Sequence, residues 1–173
     1  VSNLPAVTMN WVSPLTVDET KNAAREVTTL LQSTEQSWLW NQTDVQPNPD
    51  LYPQHGFAIT GEQQPWPLAV SIHGSFESYF KDQASPFEAP ESMTETVEGP
   101  VGTIEASPDT ARLVVIGSAE FIDDPVLQAS MQLSQDRYLN SLQFMQNAVD
   151  WAVEDEDLLS IRSRGTYARL LEP

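Results

Sequence analysis

The run Ala111-Arg112-Leu113-Val114-Val115-Ile116-Gly117 limits the possible folds more than any other segment. It is almost wholly apolar, and Leu113 to Ile116 is the longest aliphatic stretch in the chain. Four such residues suit a strand and fall far short of the roughly 20 needed to cross a bilayer. A strand with one wet face alternates apolar and polar side chains. This run does not alternate, so both of its faces must be covered, as in parallel α/β sheets. A long helix is predicted downstream, from about Gln135 to Val153. Leu139, Leu142, Met145, Val149 and Ala152 form one apolar stripe on it, and Phe144, Ala148 and Trp151 form a second. A helix apolar on two sides is expected to lie sandwiched. The predicted class is therefore α/β with a mostly parallel sheet.

The remaining chain is less regular. Thr8-Met9-Asn10-Trp11-Val12 alternates like a strand and stops at Ser13-Pro14. Asp18-Glu19-Thr20 is compatible with a helix start, but Glu26 to Leu31 carries Val and paired Thr, and its second half is read as a strand. Nine of the 13 prolines fall between Pro47 and Pro108. Pro47-Asn48-Pro49-Asp50 and Pro65-Trp66-Pro67 mark loops, with a strand expected at Leu68 to Ile72. The segment of about 81–108 is expected to be an acidic, Pro-rich excursion of a single domain spanning 1–173. Glu154-Asp155-Glu156-Asp157 opposes the macrodipole at the end of the long helix, so that end needs another cap. Leu158 to Arg164 reads as a final strand, closed by Gly165.

Composition excludes several functions. Lys and Arg number 8 against 25 Asp and Glu, a net charge of −17. Nucleic-acid affinity comes from Lys and Arg side chains neutralising phosphates, so no nucleic-acid partner is expected. The absence of Cys removes thiol nucleophiles, disulfides and thiolate metal sites. The hydrophobic fraction of 40% still supports a folded core. Nothing in the sequence requires a metal or other cofactor. The chain opens without Met, at Val1-Ser2-Asn3, and is expected to be a processed chain or a fragment.

Four segments, in order, carry a family resemblance. They are Leu30 to Trp38, with its Ser-Trp ending; His73-Gly74-Ser75-Phe76-Glu77-Ser78-Tyr79-Phe80; Arg112 to Phe121, of the form Arg-apolar-apolar-Val-apolar-Gly-Ser-Ala-x-Phe; and Asn147-Ala148-Val149-Asp150-Trp151 followed by Leu158-Leu159-Ser160-Ile161-Arg162-Ser163-Arg164. Together they resemble the extracytoplasmic auxiliary domain of gliding-motility-type and uncharacterised ABC transporters, specifically its second half. The resemblance implies a three-layer open sheet related to class I glutamine amidotransferases, a flavodoxin-like arrangement of which this chain would be a partial domain. It also implies a location on the periplasmic face of the bacterial inner membrane, a transmembrane helix beyond residue 173, and the permease subunits of an ABC transporter as partners. Arg162, Arg164 and Arg169 near the end agree with a membrane close by.

An amidotransferase would need a Cys nucleophile, which is absent, and His55 and His73 lack a nucleophile elbow beside them. No catalytic residue is therefore assigned, and the chain is expected to be a non-enzymatic binding or assembly domain. Candidate ligand-binding residues remain. Glu120, Asp123 and Asp124 follow the apolar strand, where α/β sheets bind ligands, with His73 as an added candidate. Such carboxylates suit acid–base work on glycans or a hard cation, while Asp123-Asp124-Pro125 equally suits a turn that caps the next element. Trp38, Trp40 and Trp66 lie in or beside loops, and stack on a glycan or peptide ligand or else fill the core. The alternatives to a binding domain of a transporter are thus a carboxylate- or metal-dependent glycan hydrolase and a carbohydrate-binding module.

Overall fold

A computed structural model describes residues 4–83, 104–133 and 135–153. Five elements run in the order β1 (Glu26–Gln32), β2 (Pro67–His73), β3 (Arg112–Ile116), α1 (Asp124–Leu133) and α2 (Gln135–Ala152). The class is mixed α/β. The sheet expected to be mostly parallel is antiparallel at both described pairings, in the order β1-β2-β3. No helix crosses over between β1 and β2; proline-rich chain simply turns back, and successive strands then run in opposite directions. The final strand expected at Leu158 to Arg164 and most of the acidic excursion lie outside the described residues.

β2 rather than β3 is the central strand, and Ala69 to Ile72 are its buried stretch. The two rows of side chains divide cleanly. Ala69, Ser71 and His73 face one way; Val70 and Ile72 face the other. On the first face the register aligns Glu26, His73 and Arg112 in one row and Thr28, Ser71 and Val114 in the next. Ala69 pairs with Ile116 at the apolar end of this face, where Phe121 and Phe144 close the core with ring centroids 6.0 Å apart. A register shift between Thr29 and Leu31 lets the consecutive Leu30 and Leu31 both pack on that core.

The apolar run at β3 is only partly covered among the described residues: Leu113 is exposed and the other four residues are half-buried. α2 lies over one face. Beside the other runs a segment containing Leu15, Thr16 and Val17, which lines a hollow of about 230 Å³ together with Val70, Ile72 and Val115. Leu113 remains 41% exposed. The stretch Thr8 to Val12 forms no strand; instead Leu4, Val7 and Met9 pack on the core. The helix expected from Gln135 to Val153 is α2, but it is not sandwiched among the described residues. Ser141 and Phe144 are fully buried, whereas Leu139 and Val149 are about half exposed. α1 went unpredicted, although Asp123-Asp124-Pro125 is a helix-start pattern. Asp123 O accepts the hydrogen bond from Leu127 N, and Asp124 stands in the first turn, where the macrodipole favours a carboxylate.

One close approach fixes the amino-terminal strap to this frame. Ser13 N donates to Gly117 O at 2.8 Å, and Leu15 N donates to Pro67 O at 2.8 Å. Ser118 Oγ donates to Asn10 O at 2.6 Å. A Cβ at Gly117 would stand 2.1 Å from Ser13 O, so only glycine fits. Gly117→Ala is expected to lower stability by about 3 kcal/mol through this backbone clash. Gly61 has φ +73° and open space around it, so Gly61→Ala carries only the left-handed backbone cost, about 1 kcal/mol. Urea melts of the two variants check the contrast, and equal midpoints would contradict the clash.

Candidate functional site

Two concavities collect most of the chemistry. The first lies between the polar end of the sheet and α2, with a volume of about 430 Å³. β1 supplies Glu26 and Thr28, β2 supplies Ser71 and His73, and β3 supplies Arg112 and Val114; α2 closes it with Phe144, Asn147, Ala148 and Trp151. The period-2 pleat explains why Glu26, His73 and Arg112 share a row. Acid, imidazole and guanidinium thus line one wall, while Phe144 and Trp151 contribute apolar surface.

Arg112 also has a structural task. Its Nη1 donates to Trp151 O at 2.8 Å, and its guanidinium sits 5.2 Å from the centroid of the Trp151 ring. Trp151 lies in the last turn of α2, where backbone carbonyls lack intrahelical donors. The cap this helix end was expected to need therefore comes from β3, and its positive charge suits the negative end of the macrodipole. The acids at 154–157 lie outside the described residues. Within the cavity wall, Asn147 Oδ1 is a buried acceptor with no partner among the described residues. No hydrogen bond joins His73 to Ser71 or Ser75 among the described residues, and Ser75 Oγ instead donates to Ser107 O at 2.8 Å.

The second concavity, about 610 Å³, is a groove beside the amino-terminal strap. Trp11, Val12 and Pro14 form one side; Trp38, Leu39, Trp40, Val45 and Phe57 form the rest, with Asn41, Ser13 and Ser37 among them. The rings are held in place. Trp40 packs on Phe57 with centroids 5.3 Å apart, and Trp38 meets His55 edge-on at 5.5 Å. Trp40 Nε1 donates to Asp44 O at 2.7 Å. Trp11 has φ 48°, a left-handed conformation rare for a bulky side chain, yet its side chain is 57% exposed.

The structure distributes the sequence candidates among these places. His73 enters the helix-covered cavity, together with Glu26, Arg112 and Asn147, which sequence reasoning had not grouped with it. The signal was present in strand periodicity, but the antiparallel register needed to use it was not. Trp38 and Trp40 share the aromatic groove. Trp66 lines an adjoining hollow of about 340 Å³ that also touches Leu39 and Asn41, and its indole N–H is buried without a partner among the described residues. Trp11 was missed because its segment read as a plain strand. Glu120, Asp123 and Asp124 are exposed around the start of α1. No group of three His, Asp or Glu able to hold a metal occurs among the described residues. Away from both concavities, Lys81 hydrogen-bonds Glu77 and so lowers the Glu77 carboxyl pKa, its charge adding to the effect. That contribution is present at neutral pH and is lost as pH falls through the lowered value; both groups are exposed, so solvent screens it.

These features define a mixed α/β domain with one polar, helix-covered cavity and one aromatic groove. Residues 1–154 match the family described as ABC-type uncharacterized transport system, and the chain belongs to that family, as an auxiliary protein associated with such a system. No curated protein and no solved structure matches it. No described helix is long and apolar enough to cross a membrane.

Arg112→Met should remove the cap on α2 and cost about 2 kcal/mol, as expected for a hydrogen bond from a charged donor. Hydrogen exchange should then speed up in the last turn of α2 more than in β2. Uniform acceleration would show that Arg112 acts on the whole fold and not as a cap.

Proposed function

We propose that the chain is a non-enzymatic binding and assembly domain of a membrane-anchored accessory protein of a gliding-motility-type ABC transporter, working on the periplasmic side of the inner membrane beside the permease subunits. Family membership supports the transporter association. The observation that carries the binding role is the chemistry of the cavity under α2. Guanidinium, imidazole, carboxylate, amide and indole groups converge on a volume in the range of small-molecule sites. Such a set recognises a ligand by charge and hydrogen bonding. A nucleophilic mechanism would need a base in contact with its nucleophile, and His73 makes no such contact with Ser71 or Ser75.

A finer fold relation follows from the sequence resemblance. We infer that the antiparallel unit belongs to a larger three-layer domain of the amidotransferase-like type, as its partial form. The segmental resemblance supports this reading, and the described strands do not bear on strands outside them.

The reading is tested in cells with the full-length protein. Added protease should degrade the domain in spheroplasts but not in intact cells. A photo-crosslinker at the exposed Leu51 or Tyr79 should yield adducts with the transporter's membrane subunits. Protection in spheroplasts would overturn the location. Adducts confined to copies of the same protein would overturn the assembly role. Glycan hydrolysis by the purified chain that disappears in Glu120→Gln would overturn the non-enzymatic reading.

A further inference from the structure

We propose that the aromatic groove between the amino-terminal strap and the β1–β2 loop binds a small organic cation of the quaternary ammonium type. Three observations support this. The first is the lining itself. Trp11, Trp38, Trp40 and Phe57 supply ring faces and edges around one concavity. A ring face carries partial negative charge and attracts a cation, and the attraction is greatest for a cation that sheds its water easily. An N-methylated ammonium meets that condition better than a primary ammonium, which would lose strong hydrogen bonds to water on entry.

The second observation is charge. Between Val27 and Phe76 the sequence holds four carboxylates and no Lys or Arg. One of them, Asp44, lies next to a groove residue: Trp40 Nε1 donates to its backbone oxygen, while its carboxylate accepts from Gln46 N at 3.0 Å. The field over the groove therefore draws in cations and repels anions. Some polar groups of the groove are occupied within the protein. Trp40 Nε1 is bound to Asp44 O, the Ser37 and Thr34 hydroxyls bond each other at 3.2 Å, and Ser37 O accepts from Gln64 N at 2.9 Å. A sugar needs directed hydrogen bonds as well as a ring to stack on. A quaternary ammonium needs only ring faces and a negative field, which are what this groove presents.

The third observation is the backbone at Trp11. Its φ of 48° is unfavourable for a large side chain, and a buried core position is not the reward, because the residue is 57% exposed. The conformation is enforced from both sides. Ser118 Oγ holds Asn10 O, and Gly117 O holds Ser13 N. Strain kept at an exposed indole by two flanking anchors is the pattern of a side chain presented to a ligand.

The test uses the 173-residue chain and does not depend on which side of a membrane it occupies, so its failure is separable from failure of the proposed function. Tryptophan fluorescence is titrated with choline, with its uncharged carbon isostere 3,3-dimethyl-1-butanol, and with an oligosaccharide panel, at constant ionic strength. Choline is expected to quench saturably with a millimolar dissociation constant, and the isostere about tenfold more weakly. Asp44→Asn should weaken choline binding about threefold. Trp11→Gly should weaken it about tenfold while its thermal midpoint stays level or rises, because glycine relieves the strained φ. Equal binding of choline and its isostere would overturn the proposal, since the groove would then be merely apolar. Absence of saturable quenching by choline up to about 50 mM would also overturn it. Saturation by an oligosaccharide in place of choline would assign the groove to glycans instead.

Discussion

Strand β2 is the one described strand with backbone hydrogen bonds on both edges, and both faces of the sheet are organised from it. Its alternation sends Ala69 into the core under Phe144 and leaves Ser71 and His73 further along the same face. One strand thus sets up a gradient from an apolar end to a polar end. The core seals the first, and the cavity opens at the second. Val70 and Ile72, on the reverse face, line a hollow together with the strap segment at Leu15 to Val17. Removing Phe144, which is fully buried, would take away the lid of the apolar end, and changes of that kind usually cost about 3–5 kcal/mol.

Local pattern predicted the elements better than it predicted their assembly. β1, β2, β3 and α2 fall where periodicity and β-branched residues put them. Strand direction is another matter. An apolar run states that both faces are covered, but not by what. Here one side faces only a strap segment across a hollow, and that segment carries no helical period and so no sequence signal. For the same reason the stripe of Leu139 and Val149 suggested a second packing layer that the described residues do not provide. Asp123-Asp124-Pro125 is legible as a turn that caps the next element, but the residues after it carry too weak an apolar period to mark α1 as a helix.

The site was legible only in pieces. His73 and the pair Trp38 and Trp40 stood out by residue type. Their partners did not, because Glu26, Arg112 and Asn147 come from three elements brought together by register and helix docking. Trp11 depends on a contact across more than a hundred residues. The motif at Ile116-Gly117-Ser118, which suggested a ligand loop after a strand, has a different physical explanation in the structure. Glycine is there because a main chain passes too close for any side chain, and serine is there because its hydroxyl anchors that passing chain. Such a motif would persist for reasons of clearance alone, whatever the ligand.

The strap also sets an order of events. Asn10 and Ser118 are 108 residues apart, and Ala6 and Asn140, whose amide donates to the Ala6 carbonyl, are 134 apart. During synthesis the first part of the chain emerges long before the groups that hold it, so Trp11 waits in the open until β3 and α2 arrive. The loops closed by these contacts are the longest in the described hydrogen-bond network, and closing them costs more entropy than the local turns do. The aromatic groove therefore exists only while contacts distant in sequence hold the strap against the turn after β3 and against α2.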